Sequence, residues 1–177
     1  MIVRRERPAD AAAVRALHRL AFARDPATGV QRDPDDVVEA RLVDQLREDA
    51  GFLPHLALVA VADDVVVGHV IATRGWVEPV GAPALGLGPL GVLPDVQRSG
   101  VGTVLVHALL AVAEAAGESL VALLGDPAYY RGFGFRAATE LGISAPDPAW
   151  GTHFQARWLT EVRTGGTFRY AAPFDRL

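Results

Sequence analysis

Between Leu87 and Ala116 the hydrophobic period of the chain changes once, across the stretch Gln97-Arg98-Ser99-Gly100-Val101-Gly102. Upstream, the run from Leu85 to Pro94 is apolar but interrupted by Gly86, Gly88, Pro89 and Gly91. Proline cannot donate a ladder hydrogen bond and glycine weakens pairing, so a strand with a bulge or splay is predicted. Downstream, Val101, Val104, Leu105, Ala108, Leu109, Val112, Ala113 and Ala116 recur at spacings of three and four. That is one face of an amphipathic helix. The chain therefore runs from a strand through a glycine turn into a helix.

The first turn of a helix leaves backbone N–H groups unpaired at the positive end of the macrodipole, where oxygen anions are favoured. Gly100 and Gly102 would let a phosphate approach the backbone, and Arg98 would add a bidentate cation. Details choose among phosphate-binding families. A P-loop needs a lysine in G-x-x-x-x-G-K-[ST], and all 17 basic residues here are arginine. A Rossmann fingerprint needs G-x-G-x-x-G and an acidic residue closing the next strand, whereas Ser119 to Leu124 runs into Gly125-Asp126-Pro127.

What remains is Val92-Leu93-Pro94 followed by Gln97 to Gly102, a [QR]-x-x-G-x-G pattern. It resembles the pyrophosphate-binding motif of the GNAT-type acyl-CoA N-acetyltransferases. The run Leu124-Gly125-Asp126-Pro127-Ala128-Tyr129-Tyr130 with Phe133-Gly134-Phe135 looks like the YhbS-like branch of that superfamily, as does Gly166-Thr167-Phe168-Arg169-Tyr170 with Phe174. The resemblance implies an α/β (α+β) GNAT fold: one mixed, mostly antiparallel central sheet, helices on both faces, and a splayed parallel strand pair at the cofactor site. It also implies acetyl-CoA as acyl donor, with its pantetheine arm entering the splay as a pseudo-strand. Cofactor contacts are then expected at Leu90, Gly91, Val92, Gln97, Arg98, Ser99, Gly100, Val101, Gly102, Asp126, Tyr129 and Tyr130.

At 177 residues, half of them apolar and 21% charged, one domain spanning 1–177 is expected, long enough for a sizeable core. Without cysteine there is no disulfide, thiolate metal site or Cys nucleophile. No metal is implied. Residues Met1 to Pro8 lack the apolar run of a secretory signal, and no stretch reaches membrane-spanning length, so a cytoplasmic protein off the membrane is expected. The net charge of −4 with scattered arginines argues against nucleic acid as partner.

In chain order, Met1 to Arg4 reads as a strand and Pro8 as a helix start, with Val14, Leu17, Leu20 and Ala21 facing inward and His18 beside that face making an ordinary hydrogen bond. A loop from Arg24 to Arg32 is followed by a helix capped by Asp33, with Pro34, Asp35 and Asp36 in its first turn and Val38, Leu42, Val43 and Leu46 as its stripe. The resemblance makes this region the wall of the acceptor site. Leu56 to Ala62 and Val65 to Thr73 form a hairpin turning at Asp63-Asp64. His69 has a packing or hydrogen-bonding role. Trp76 to Pro83 reads as a loop, Pro127 to Arg131 as a short helix, Phe133 to Phe135 as a return to strand, and Leu141 to Pro148 as a loop. His153 to Leu159 alternates as a strand, and the tail from Thr167 packs on the sheet.

The resemblance implies direct transfer of an acetyl group to an amine in a ternary complex, with Tyr130 as general acid for the thiolate and the Leu90 backbone N–H as oxyanion donor. Tyr129 is the alternative hydroxyl. The central strand carries no carboxylate, so water, Asp126 or Glu78 remain as base, and His107 faces solvent. The acceptor is a small-molecule or peptide amine, and a monomer and a homodimer are both compatible. A rival reading is a non-catalytic acyl-CoA-binding regulatory or interaction domain, favoured by the missing carboxylate and by the Arg131-Gly132 pair. Transfer of a longer acyl group is a third.

Overall fold

The structure is a computed structural model that describes residues 1–24, 29–33 and 37–176. Its centre is a hairpin of two long strands, β2 (Phe52–Ala62) and β3 (Val65–Glu78). Asp63 and Asp64 join them at φ 48° and 61°, the left-handed pair that a two-residue turn of matching twist requires. Side chains alternate along β2. Leu56, Leu58 and Ala60 enter one core layer, Ala57 and Val59 the other.

Around the hairpin, β1 (Ile2–Arg5) pairs antiparallel with β2, and β4 (Ala82–Val92) antiparallel with β3. β5 (Leu120–Leu124) then lies parallel to β4, followed antiparallel by β8 (Phe154–Trp158) and the short β6 (Arg136–Ala137). β9 (Gly166–Arg169) pairs with the far end of β3 and with β7 (Ile143–Ser144). The sheet is thus mixed and mostly antiparallel, as predicted.

Helix α3 (Val101–Ala115) covers one face through Val101, Leu105, Leu109 and Ala113. Each fully buried leucine there stabilises by about 1.5–3 kcal/mol. The opposite face carries α1 (Ala11–Ala21) and α2 (Val38–Glu48), which share Val14 and Val43 against Val59. An aromatic cluster of Phe154, Phe168, Tyr170 and Phe174 continues that layer.

Several expectations are corrected. Trp76 to Glu78 belong to β3, and Ala82 and Pro83 to β4, rather than to a loop, because Trp76 and Val77 pair with Pro83 and Ala82 on one side while Trp76, Val77 and Glu78 pair with Arg169, Phe168 and Thr167 on the other. The turn is confined to 79–81, closed by Gly81 at φ +66°. Leu20 is exposed, and His18 instead of Leu20 completes the buried face of α1. On α3, Val104 faces solvent while Val106 and Leu110 are buried, since the helix is apolar on nearly all sides and spacing alone leaves its inward face ambiguous. Phe133 to Phe135 form a tight turn through Arg131–Phe133 and Gly134 at φ +82°, so the strand starts only at Arg136. Ile143–Ser144 is a short strand because β9 runs alongside it. The α2 N-cap is Val37, not Asp33, and the expected first turn at Pro34, Asp35 and Asp36 lies outside the described residues. Of the loop at 24–32, an isolated bridge between Arg24 and Gln31 is described. Among the described residues no helix is long and apolar enough to cross a membrane.

Candidate active site

β4 and β5 are paired only at Leu85↔Val121 and Gly86↔Ala122. Beyond those rungs β4 continues to Val92 and β5 to Leu124 with no further bridge, leaving a V-shaped gap. On its other side β4 stays on β3, with Val70 opposite Leu90 and Ala72 opposite Leu87, so Gly88 and Pro89 bulge against Ile71. The hydrogen-bonding phase is set where the Leu93 N–H donates to the Val67 carbonyl. Every second residue back along the ladder shares that direction. Gly91 therefore addresses β3, and the backbone groups of Leu90 and Val92 face the gap. Gly91 serves close packing instead, since a Cβ there would lie 2.8 Å from Leu17 and from His18 Nδ1.

The mouth of the gap is the glycine turn. Gln97 Nε2 donates to the Val92 carbonyl at 3.1 Å, and Ser99 Oγ donates to the Val96 carbonyl at 2.6 Å, which folds the loop on itself. Arg98 at φ 62° and Gly100 at φ 94° deliver the chain into α3, whose first recurring bond runs from the Val104 N–H to the Gly100 carbonyl. The N–H groups of Val101, Gly102 and Thr103 precede it and point out of the helix start, a ready site for an anion. Val101 anchors that turn by burying its side chain against Gly68. A cavity of about 290 Å³ lies here, lined by Leu90, Val92, Gln97, Arg98, Gly100, Gly102 and Tyr129, and also by Ala21, Phe22 and Thr103. Phe22 and Thr103 were not singled out by the sequence, because nothing local distinguishes an aromatic after a helix or a threonine on its first turn.

The two tyrosines part company. The Tyr129 hydroxyl sits over Gly102, where a Cβ would come within 2.8 Å of it. Burial pushes its pKa up, partly offset by a hydrogen bond with Thr103. Tyr130 lies deeper, its ring against Gly125 and edge-on to Tyr129 and Phe135. Burial, then the neighbouring Tyr129, raises its pKa far above the ordinary value, so its O–H stays protonated. Asp126 caps α4 (Pro127–Tyr130), accepting from the Ala128 N–H at 2.8 Å. Glu78 is at the far end of β3, where Oε1 accepts from Arg169 Nε at 3.0 Å. His107 is exposed, its ring edge on Phe133.

Behind β4 lies a polar chain that the sequence showed only as two separate histidines. His18 Nε2 and His69 Nδ1 are 2.8 Å apart, His69 Nε2 is 3.2 Å from Glu6 Oε2, and Glu6 Oε1 accepts from Arg47 Nε and Nη2 at 2.9 and 2.6 Å. Both imidazoles are fully buried. Burial holds both below the ordinary histidine pKa, for His69 against the opposing pull of Glu6. Glu6 is held low because His69 and Arg47 together outweigh its burial.

Comparison with known proteins adds four findings. Residues 14–135 match the acetyltransferase (GNAT) family. The chain is 34% identical over 167 residues, 94% of its length and 92% of the relative's, to the uncharacterized N-acetyltransferase YhbS of Escherichia coli (strain K12). The crystal structure of the E. coli YhbS in complex with CoA superposes with a TM-score of 0.84 at 31% identity, covering 99% of this chain and 92% of that one. A GNAT-family acetyltransferase from Brucella melitensis in complex with acetyl-CoA gives 0.78 at 34% identity, over 98% and 97%.

Proposed function

This chain belongs to the acetyltransferase (GNAT) family, and on that premise we propose that it transfers the acetyl group of acetyl-CoA directly to an amine of a small-molecule or peptide acceptor. The observation that carries the reading is that the unpaired edge of β4 opens onto the first turn of α3. A diphosphate at the N–H groups of Val101, Gly102 and Thr103, with Arg98 beside it, would align a pantetheine arm with the outward backbone groups of Val92 and Leu90. The glycines fit this ligand: Gly100 takes a left-handed φ with nothing within 4 Å of a built Cβ, and Gly102 keeps the floor low. The CoA and acetyl-CoA held by the E. coli and Brucella relatives support the same choice of ligand.

Within that arrangement the chain's own groups divide the work. The thioester supplies the activated acyl group. The Leu90 N–H polarises its carbonyl, a donation of the kind that lowers a barrier by about 2.7–4 kcal/mol. Holding amine and thioester in line contributes up to about 7–11 kcal/mol more. As the lone pair of the neutral amine bonds to the carbonyl carbon and the C–S bond breaks, Tyr130 gives its proton to the departing sulfur; the proton released from nitrogen passes to water, and solvent returns a proton to Tyr130. Water is favoured as base because Asp126 is committed to its cap and Glu78 to Arg169.

Isothermal calorimetry with acetyl-CoA tests the reading. The wild-type protein is expected to bind, and Gly100→Val, which forces a β-branched residue into a left-handed conformation, to bind at least tenfold more weakly. No heat of binding with the wild type would remove the proposal.

A further inference from the structure

We propose that Glu6 is a positioning residue for the cofactor strand, acting through the protons of two buried imidazoles on the stretch of β4 from Leu90 to Val92; this rests on the gap between β4 and β5 being the cofactor site. Glu6 follows β1, ahead of the residues 14–135 that match the family. It nevertheless reaches β4 by short contacts. Glu6 Oε2 is 3.2 Å from His69 Nε2, and His69 Nδ1 is 2.8 Å from His18 Nε2. His69 is the cross-strand partner of Gly91. The His18 ring, edge-on to His69, lies over the same rung, its Nδ1 2.8 Å and its Cε1 2.9 Å from where a Cβ on Gly91 would stand. Leu90 and Val92, the neighbours of Gly91, line the cavity of about 290 Å³. So does Phe22, which stacks on His18 at a centroid distance of 5.8 Å and 13° between planes. The polar chain thus ends at a wall of the candidate site.

Stability alone does not call for such a chain, since well-packed apolar side chains in place of a whole buried ionic group are often as stabilising or more so. The polar version also leaves His18 Nδ1 buried without a partner, a cost that asks for a reason. The reason lies in what that nitrogen faces. It stands where the side chain of an L residue would leave Gly91, so it meets an α hydrogen of the glycine. A bare nitrogen accepts that contact, whereas an N–H would press hydrogen on hydrogen. Which of the two is present is decided at Glu6. A carboxylate only accepts, so both rings carry their proton on Nε2. An amide there would keep its oxygen toward the Arg47 donors and turn its N–H toward His69. His69 would then accept at Nε2 and donate from Nδ1, and His18 would accept at Nε2 and carry its proton on Nδ1, against Gly91. Exchanging one atom of Glu6 thereby reverses both tautomers and pushes on the strand that runs along the gap.

The test is Glu6→Gln, read by nitrogen NMR of the imidazoles and by calorimetry. In the wild type His18 and His69 are expected as Nε2–H tautomers. In the variant both should become Nδ1–H tautomers, with acetyl-CoA bound about 5- to 10-fold more weakly. In a His18→Leu background, where no nitrogen faces Gly91, the same change should cost less than about twofold. Glu118→Gln, which breaks the Arg74–Glu118 pair ahead of β5, should lower the melting temperature and leave acetyl-CoA affinity unchanged. Nδ1–H tautomers in the wild type, a measurement that needs no variant, would overturn the inference. So would unchanged affinity in Glu6→Gln, an equal loss in Glu118→Gln, or a full loss on adding Glu6→Gln to His18→Leu. If the wild type binds no acetyl-CoA, the cofactor reading itself fails and takes this inference with it, whereas wild-type binding with reversed tautomers and an indifferent affinity removes this inference alone.

Discussion

A buried imidazole has two ring nitrogens to satisfy, and in the His18–His69–Glu6 chain three of the four have partners, which fixes every proton. Glu6, held ionised by His69 and Arg47, only accepts, so His69 Nε2–H donates to it. Neutral His69 then accepts at Nδ1, and His18 Nε2–H must be the donor. His18 Nδ1 is left as a bare acceptor, pressed on Gly91 without a partner. Replacing His18 by leucine removes that orphan but strips His69 Nδ1 of its donor, and the net effect expected is a loss of about 1–3 kcal/mol in urea unfolding. At the proposed reaction centre, Tyr130→Phe keeps the packing on Phe133 and Phe135 and deletes only the hydroxyl proposed as acid. Its turnover is expected to fall about 10²-fold or more with acetyl-CoA affinity unchanged, read by steady-state kinetics alongside calorimetry.

At the scale of elements, the seat of α3 on β3 decides where the turn proposed to bind the diphosphate stands. A Cβ on Gly68 would come 2.7 Å from Val101 Cγ1 and 2.8 Å from Leu105 Cδ1. Gly68→Ala should therefore push the first turn of α3 off the sheet, costing about 1–3 kcal/mol by overpacking and weakening acetyl-CoA binding together. Gly117→Ala, at the other end of the same helix, meets nothing within 4 Å but sits at φ +76°. It should lose stability through backbone strain alone and leave acetyl-CoA affinity unchanged, which thermal melts and calorimetry would separate. The elements legible in the sequence were those with local signals: the Asp63-Asp64 hairpin, the strand into glycine turn into α3, the short helix from Pro127, and the alternation in the strand from His153 to Leu159 that becomes β8. The extension of β3 through Trp76 to Glu78 and the start of β4 at Ala82 were not legible, because Pro79, Gly81 and Pro83 mark a turn locally while part of the pairing comes from a strand some ninety residues later. Tyr170 was legible only as part of a family ending, since its place at Gly86 is a long-range contact with no local pattern. The depth of His18 escaped for a different reason: Leu20 has the better hydrophobic spacing, and only the partner His69 makes burial of an imidazole tolerable.

For the whole molecule the buried acid–base groups predict how stability depends on pH. His18 and His69 have folded pKa values below 6.5, so as pH falls below about 6.5 the unfolded chain takes up protons that the folded chain refuses, and stability is lost. The carboxylates act in the same direction further down. Glu6 lies below 4.5, and the Arg4 guanidinium holds Asp10 at about 2, against an unfolded value near 3.8, so both add to the loss in acid. The urea midpoint is expected to be level above about pH 7 and to decline steadily below about pH 6.5, with His18→Leu showing a shallower decline between about pH 6.5 and 5. A midpoint level down to about pH 5 would mean that the imidazoles are not held neutral.

The pairing of β9 with the far end of β3 also has a consequence in time. During synthesis, a growing polypeptide emerging from the ribosome can assemble β1 to β5 and seat α3 well before residue 166 has been made, with Trp76 and Val77 paired to β4 on one side, but their other edge has to wait for Phe168 and Arg169. The Tyr170 ring that closes on Gly86 comes later still, so a nascent chain passes through an interval in which the glycine turn before α3 is built and the vertex of the β4–β5 gap stands uncovered.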